Sequence, residues 1–148
     1  MQELVILIGF PACGKTTFCR EHLPDHIRIS LYELIHMVGG NKELAKKLEI
    51  KSIEKSLEMG FNVVIDRVNL TKRRRKKLIK CAKKKSASVR GIWFCIPEEI
   101  WKERNNQRKP LNKDLSPSVP HDKIEEMKKE FQEPSIDEGF NEIVCQML

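Results

Sequence analysis

The segment that most constrains this chain is GFPACGKT at 9–16, which directly follows a short apolar run at 4–8. It matches the pattern GxxxxGK[ST], whose glycines let the backbone curl so that successive N–H groups and a helix N-terminus face an anion. At typical residue frequencies, a chance match in a chain of this length is a roughly one-in-a-hundred event. The position between an apolar strand and a helix therefore predicts a phosphate-binding loop.

The chemistry of such a loop assigns roles to individual residues. Lys15 is predicted to bridge the β- and γ-phosphates of a nucleotide, and the Thr16 hydroxyl is predicted to hold Mg²⁺. Asp66 ends the strand-like run NVVID, so its carboxylate is predicted to emerge beside the loop as a second metal ligand. The alternative for Asp66 is a cap of the next helix, although Thr71 is better placed for that. The predicted ATP contacts are Gly9, Pro11, Ala12, Cys13, Gly14, Lys15, Thr16, Thr17, Arg104 and Arg108.

Short apolar runs alternate with helical patterns along the whole chain. Strands are predicted at 4–8, 62–65 and 91–96, with a weaker one at 26–30. Helices are predicted at 15–23, 31–38, 42–59, 71–85, 97–108 and 121–132. This order predicts an α/β fold of the three-layer P-loop NTPase type, with a parallel sheet, a helical lid, and ligands at the carboxyl ends of the strands. Segment 109–120 is predicted to be a loop and 134–148 to add an edge strand, with 1–148 forming one domain.

Two arginines follow the predicted strand at 91–96. Arg104 and Arg108 are four residues apart on the predicted helix 97–108, so they share one helix face. Two cations projected over a nucleotide would stabilise charge on a phosphoryl group in transfer. The alternative is a pair of exposed arginines on a charged helix. We expect them to be catalytic lid residues that contact ATP.

The net charge of +7 is unevenly distributed. Residues 72–85, KRRRKKLIKCAKKK, hold ten of the 28 Lys and Arg and no acid, which leaves a net −3 on the rest of the chain. A concentrated basic patch attracts a polyanion such as nucleic acid, in a salt-dependent way. The alternative is a solvated helix face. Lys72, Arg73 and Arg74 are the predicted nucleic-acid contacts in this run.

Composition excludes several other classes of protein. With 40% hydrophobic and 33% charged residues, and few Gly and Pro, the chain is expected to be globular. Its apolar runs are too short to cross a bilayer and none has the flank of a signal peptide, so we expect a cytoplasmic or nuclear protein that binds no membrane. The five cysteines form no CxxC pair and are predicted to be reduced, buried thiols.

Four segments of the chain form a specific combination when they are taken in order. They are GFPACGKTT at 9–17, VVIDRVN at 63–69, ERNNQR at 103–108, and VPHDKI with FQEPSIDEGFNEI within 119–143. Together they resemble the polynucleotide 5′-hydroxyl kinases. The resemblance implies an enzyme that uses ATP and Mg²⁺ to phosphorylate the 5′-hydroxyl end of DNA or RNA, as in repair. It gives Lys15, Asp66, Arg104 and Arg108 catalytic roles and matches Asn69 to a family asparagine, which we predict to contact nucleic acid.

The chain departs from the family at the acceptor motif. Where the family carries a sequence near Asn-Arg-Asp-Asp, whose first Asp is the general base, this chain reads Ser30-Leu31-Tyr32-Glu33. Tyr32 stands at the base position and is predicted to contact nucleic acid instead, because a tyrosine hydroxyl keeps its proton at neutral pH. Glu33 is predicted to replace the base. The alternative for Glu33 is an acid that interacts favourably with the helix dipole. Val68, where the family has Thr, is a milder departure.

Two other functions remain open on the sequence. One is a P-loop kinase whose acceptor is a nucleoside, a tRNA-linked group or another small alcohol. The other is a nucleotide-gated nucleic-acid-binding protein that has lost its base. The complete donor set argues against a decayed enzyme, whereas the missing Asp argues for one. That set is Lys15, Thr16, Asp66, Arg104 and Arg108. The sequence leaves the oligomeric state and the choice between DNA and RNA open.

Overall fold

The structure is a computed structural model that describes residues 1–108 and 118–147. Five parallel strands form one sheet in the order β2-β3-β1-β4-β5. The strands are β1 Glu3–Ile8, β2 Ile27–Ile29, β3 Val63–Ile65, β4 Ser88–Phe94 and β5 Glu142–Gln146. The helices are α1 Lys15–His22, α2 Leu31–Met37, α3 Lys42–Glu58, α4 Lys72–Lys84, α5 Glu98–Gln107 and α6 His121–Glu130, followed by a 3₁₀ turn at Ile136–Glu138.

The sheet lies between two helical layers, which confirms the predicted three-layer α/β fold. Every residue of β1 from Leu4 to Ile8 is fully buried because the strand is central and covered on both faces. On one face Leu4 and Ile6 pack with Ile53 of α3 and Leu78 of α4. The opposite face packs against α1, α5 and α6 through Cys19, Trp101 and Ile124.

The predicted strands are all present, and β4 is shifted toward the N-terminus at both of its ends. β4 begins at Ser88, three residues before the apolar run that predicted it. Arg90 interrupts the pattern there, because its guanidinium donates a 2.9 Å hydrogen bond to Glu3 on the neighbouring strand. The predicted addition to the sheet in 134–148 is confirmed as the edge strand β5. Most of the loop predicted at 109–120 lies outside the described residues.

One member of the basic run lies in the core rather than on a solvated face. Arg75 is fully buried, and its Nε donates to Glu138 Oε1 at 2.8 Å. Its other nitrogens donate to the backbone carbonyls of Asn69 and Gln132 at 3.0 and 2.9 Å. Breaking a buried pair of this kind costs about 3–5 kcal/mol. Arg75 therefore fastens the segment before β5 to α4.

The cysteine prediction is correct for three residues and wrong for two. Cys13, Cys19 and Cys81 are free and buried, and burial raises the pKa of Cys19 to about 12. Cys95 and Cys145 form a disulfide between the ends of β4 and β5, with their Cα atoms 6.1 Å apart. Fifty residues separate the two cysteines in sequence, so the pairing depends on strand order and has no local sequence signal.

No helix in the described part of the chain is long and apolar enough to span a membrane.

Candidate active site

The loop between β1 and α1 has the backbone of a phosphate-binding site. Gly9 is required by space, because a Cβ there would lie 2.6 Å from Cys13 Sγ and 3.1 Å from Phe94 Cβ. Gly14, the N-cap of α1, has a φ of 97°, and Ala12 also lies in the left-handed region at 63°. Such turns point successive N–H groups into one concavity at the start of a helix. The loop can therefore surround an anion.

Lys15 lies across the mouth of this loop. Its Nζ donates to the carbonyls of Gly9 and Phe10 at 3.1 and 2.8 Å and approaches Cys13 Sγ at 3.5 Å. These contacts hold an ammonium group where the phosphates of a nucleotide would enter. The placement is that expected for a lysine that binds phosphate.

The structure brings together the two residues predicted to hold the metal. Thr16 Oγ1 donates a 2.8 Å hydrogen bond to Asp66 Oδ2, and Asp66 is only 8% exposed. Asp66 follows β3, and its backbone N–H donates to the carbonyl of Ile29 on β2. The described residues contain no cluster of three or more His, Cys, Asp or Glu that could hold a metal. One hydroxyl and one carboxylate fit Mg²⁺, which usually keeps water and phosphate oxygens as its other ligands.

Sequence reasoning missed Arg28, which joins the predicted metal ligand to the predicted base. Arg28 Nε donates to Asp66 Oδ2 and its Nη1 donates to Glu33 Oε1, both at 2.8 Å. Burial alone would lower the pKa of this guanidinium, but its hydrogen bonds to Glu33 and Asp66 outweigh that effect and raise the pKa. The alternation in HIRIS was the available signal, because Ile27 and Ile29 pack against the α3 core and so direct Arg28 to the other face.

Helix α2 carries the altered acceptor motif. Ser30 caps the helix, and its hydroxyl accepts from the backbone N–H of Glu33 at 3.3 Å. The helix start brings the Glu33 carboxylate to Arg28, while Tyr32 is 41% exposed and packs edge-on against His36. The predicted base and Asp66 therefore lie at the same edge of the sheet.

Two cavities flank the phosphate-binding loop. The α1–α5 cavity, about 870 Å³, lies beside Gly14, Thr17, Phe18 and Arg104. The α2–α6 cavity, about 720 Å³, is bordered by the predicted phosphate and metal residues and by further cations, whereas the predicted base Glu33 does not border it. The polar side chains that border this cavity include Lys15, Thr16, Arg28, Tyr32, Lys42, Asp66, Arg67 and Lys123. Pro11, Ala12, Gly14, Thr16 and Thr17 of the loop also border it.

The two predicted lid arginines differ in position. Arg104 is exposed on α5 and borders the α1–α5 cavity, whereas Arg108 is partly buried just after α5 and borders both cavities. Burial lowers the pKa of Arg108, and nearby Cys13 and Asp66 oppose the shift. Asn105 fixes this end of α5, since its side chain exchanges hydrogen bonds of 2.8 and 2.9 Å with the backbone of Val119. Arg108 is the better placed of the two for a phosphoryl group.

Asn69 is placed for structure rather than for ligand contact, which corrects its predicted contact with nucleic acid. The residue is fully buried with a φ of 46°, and its Nδ2 donates to the carbonyl of Leu7 at 2.7 Å. The adjacent Val68 carbonyl accepts from the N–H of Gly9 at 3.0 Å. This turn therefore connects the end of β3 to the phosphate-binding loop.

The predicted nucleic-acid contacts on α4 lie outside both cavities. Lys72, Arg73 and Arg74 are exposed in the first turn of α4, which Thr71 caps as predicted. Arg67, just before that turn, borders the α2–α6 cavity and donates to both carboxylate oxygens of Glu49 at 3.3 and 3.4 Å. Burial raises the pKa of Glu49, and the charge of Arg67 opposes that shift. Cations thus extend from the cavity wall to the start of α4.

A parallel sheet, a glycine loop with Lys15, and the contact between Thr16 and Asp66 define a P-loop domain. A family model described as AAA domain matches residues 4–134. The chain belongs to this family.

A curated relative matches nearly the whole chain. A bifunctional polynucleotide phosphatase/kinase of Schizosaccharomyces pombe is 29% identical over 144 residues, which is 96% of this chain and 33% of that protein. The chain thus spans about a third of the length of this curated relative.

Solved structures share the fold. A chain of the Pnkp1/Rnl/Hen1 RNA repair complex superimposes with a TM-score of 0.73 at 22% identity, over 87% of this chain and 43% of that one. Kti12 of Chaetomium thermophilum, in complex with ADP-AlF3, gives 0.69 at 17% identity, over 97% and 88%. The predicted α/β fold of the P-loop NTPase type is confirmed.

Proposed function

We propose that this chain transfers the γ-phosphoryl group of ATP to the 5′-hydroxyl end of DNA or RNA. The observation that carries the proposal is the hydrogen-bonded series Thr16, Asp66, Arg28 and Glu33. Its first three members border the α2–α6 cavity, and Glu33 is the exposed last member on α2. The series joins a donor site to a carboxylate on the acceptor side.

On the donor side, the α1–α5 cavity would take the nucleoside and the loop would take the phosphates. Lys15 and Arg108 would stabilise the negative charge of the γ-phosphoryl group, with Arg104 above the nucleoside. Mg²⁺ held by Thr16 and Asp66 would neutralise charge on the phosphate oxygens. The backbone N–H groups from Ala12 to Thr17 complete the binding of the phosphates.

On the acceptor side, Glu33 acts as the general base. The carboxylate takes the proton of the acceptor hydroxyl, whose oxygen bonds to the γ-phosphorus as the bond to the β,γ-bridging oxygen breaks and ADP leaves. Loose phosphoryl transfer needs only modest help from a base, so a base one residue from the family position is sufficient. The exposed ring of Tyr32 offers the terminal base or sugar a flat surface at the cavity rim.

A polynucleotide acceptor is supported by the charge around the α2–α6 cavity. Lys42, Arg67 and Lys123 border it and can bind backbone phosphates. Lys72, Arg73 and Arg74 continue the positive surface outside the cavity and would bind phosphates further along the strand. The name of the fission yeast relative, a polynucleotide phosphatase/kinase, supports the same acceptor class.

Transfer of label from γ-labelled ATP, in the presence of Mg²⁺, tests the proposal. The acceptors are 5′-hydroxyl DNA and RNA oligonucleotides, the same oligonucleotides already carrying a 5′-phosphate, and free nucleosides. We expect label on the 5′-hydroxyl oligonucleotides alone, and none with Lys15→Ala. Label on nucleosides alone would replace the proposal with a small-alcohol kinase. ATP binding without transfer to any acceptor would replace it with a nucleotide-gated binding protein.

A further inference from the structure

Among the described cations that border the α2–α6 cavity, Arg28 contacts two carboxylates of the site. Its Nε lies 2.8 Å from Asp66 Oδ2, and its Nη1 lies 2.8 Å from Glu33 Oε1. Asp66 is almost fully buried, whereas Glu33 is largely exposed on the first turn of α2. The guanidinium therefore connects a fixed carboxylate to an exposed one.

The planar guanidinium of Arg28 fixes the direction between the two carboxylates that it contacts. Its donors lie in one rigid plane, so binding Asp66 through Nε fixes where Nη1 can point. The contact therefore fixes the Glu33 carboxylate relative to Asp66, although the Glu33 side chain is exposed to solvent. A lysine could neutralise one of the two carboxylates but could not orient both.

We infer that Arg28 is a positioning residue for phosphoryl transfer, which fixes the Glu33 carboxylate relative to Asp66. The inference rests on the proposed function and deepens it, because it explains how an acid displaced from the family position can act as the base. Arg28 occupies an edge strand and its partner Glu33 is exposed, so the pair adds little to folding stability.

Steady-state kinetics of single and double variants test the inference. Arg28→Ala should lower kcat by about tenfold or more while the KM for ATP stays within about threefold, because positioning acts on the chemical step. Arg28→Lys should recover less than half of the lost kcat, because lysine keeps the positive charge but lacks the planar set of guanidinium donors. Arg20→Ala, which removes an exposed arginine from α1, is the matched control and should leave kcat unchanged.

The double variant separates positioning of Glu33 from an independent role. If Arg28 acts through Glu33, adding Arg28→Ala to Glu33→Gln should lower kcat by less than about threefold further. A kcat loss in the double variant equal to the product of the two single losses would overturn the inference. Full activity in Arg28→Ala would also overturn it. Full recovery by Arg28→Lys would also overturn it, since charge alone would then suffice.

A measurement without catalysis distinguishes this inference from the proposed function. In ¹⁵N NMR spectra, hindered rotation of the Arg28 guanidinium should separate the two Nη signals in the native chain, and Glu33→Gln should merge them. Merged signals in the native chain would overturn the inference even if transfer to oligonucleotides is found. Separate signals in a chain that phosphorylates no acceptor would reject the proposed function and leave the Arg28 contact established.

Discussion

The two sides of the phosphate-binding loop differ in how far they follow the pattern of polynucleotide kinases. In the proposed donor site, Lys15, Thr16 and Asp66 match the sequence pattern, Lys15 Nζ contacts the backbone of the loop, and Thr16 and Asp66 are in direct contact. On the acceptor side, Tyr32 replaces the expected Asp, and Arg28 and Glu33 form a contact the pattern does not include.

The difference has a physical cause. The donor site is built from backbone: positive φ at Ala12 and Gly14 and the space beside Gly9 leave few alternatives. The proposed acceptor site is built from side chains at the start of a helix, where moving an acid by one residue rotates it by about 100° around the axis. A long arginine on the adjacent strand can correct such a change.

The largest effect is expected at the donor side. Lys15→Ala removes the cation beside the β- and γ-phosphates and should lower kcat/KM by at least about 10³-fold. Rates of label transfer from γ-labelled ATP provide the measurement, with the exposed Lys51→Ala as control. A variant at Lys15 with native activity would refute the assignment of the loop.

The next effect separates the two lid arginines. Arg108→Ala should lower kcat by about 10²-fold or more, because Arg108 borders both cavities and its charge acts on the transferred group. Arg104→Ala should act mainly on the KM for ATP, since Arg104 borders only the α1–α5 cavity. Equal kcat losses in the two variants would contradict this assignment, because Arg104 and Arg108 would then act on the same step.

A smaller effect is expected at the acceptor side. Glu33→Gln should lower kcat by about 10- to 10²-fold, because it keeps the shape of the side chain and removes the base. Tyr32→Asp should raise kcat by restoring a carboxylate at the family position, whereas Tyr32→Phe should change it little. Unchanged kcat in Glu33→Gln combined with a large loss in Tyr32→Phe would move the base to Tyr32.

The smallest effect concerns affinity rather than chemistry. Changing Lys72, Arg73 and Arg74 together to Ala should reduce the slope of log affinity against log salt by about 0.7–0.9 for each phosphate that these side chains neutralise. Filter binding with a 5′-hydroxyl oligonucleotide measures this slope. A control with the same charge change replaces three lysines of α3, Lys47, Lys51 and Lys55. Equal slopes for the two triple variants would place the nucleic acid elsewhere.

What could be predicted from sequence follows from how local each signal is. The phosphate-binding loop and Asp66 at the end of β3 were correctly placed, because a motif and an apolar run define them within a few residues. Arg28 was missed because its contact to Asp66 spans 38 residues and depends on β2 lying beside β3. Strand order, which sequence periodicity does not encode, also decided the pairing of Cys95 with Cys145.

Arg75 and Asn69 differ in how far the sequence pattern predicts their burial. Arg75 shares a helix face with Leu78, Ile79 and Ala82, which are all buried, so the helical spacing predicts that Arg75 is buried as well. The sequence pattern does not predict the burial of Asn69, because the side chain bonds to the carbonyl of Leu7, which is 62 residues away. The resemblance gave Asn69 a position in the motif but not the direction of its side chain.

The central claim is that this site phosphorylates polynucleotide ends, and a competition in a single reaction tests it most directly. Equal concentrations of a 5′-hydroxyl DNA oligonucleotide, the RNA of the same sequence and a free nucleoside compete for γ-labelled ATP. We expect the oligonucleotides to outcompete the nucleoside by about 10²-fold at low salt, with the ratio falling as salt is added. Equal labelling of the nucleoside, independent of salt, would contradict the claim.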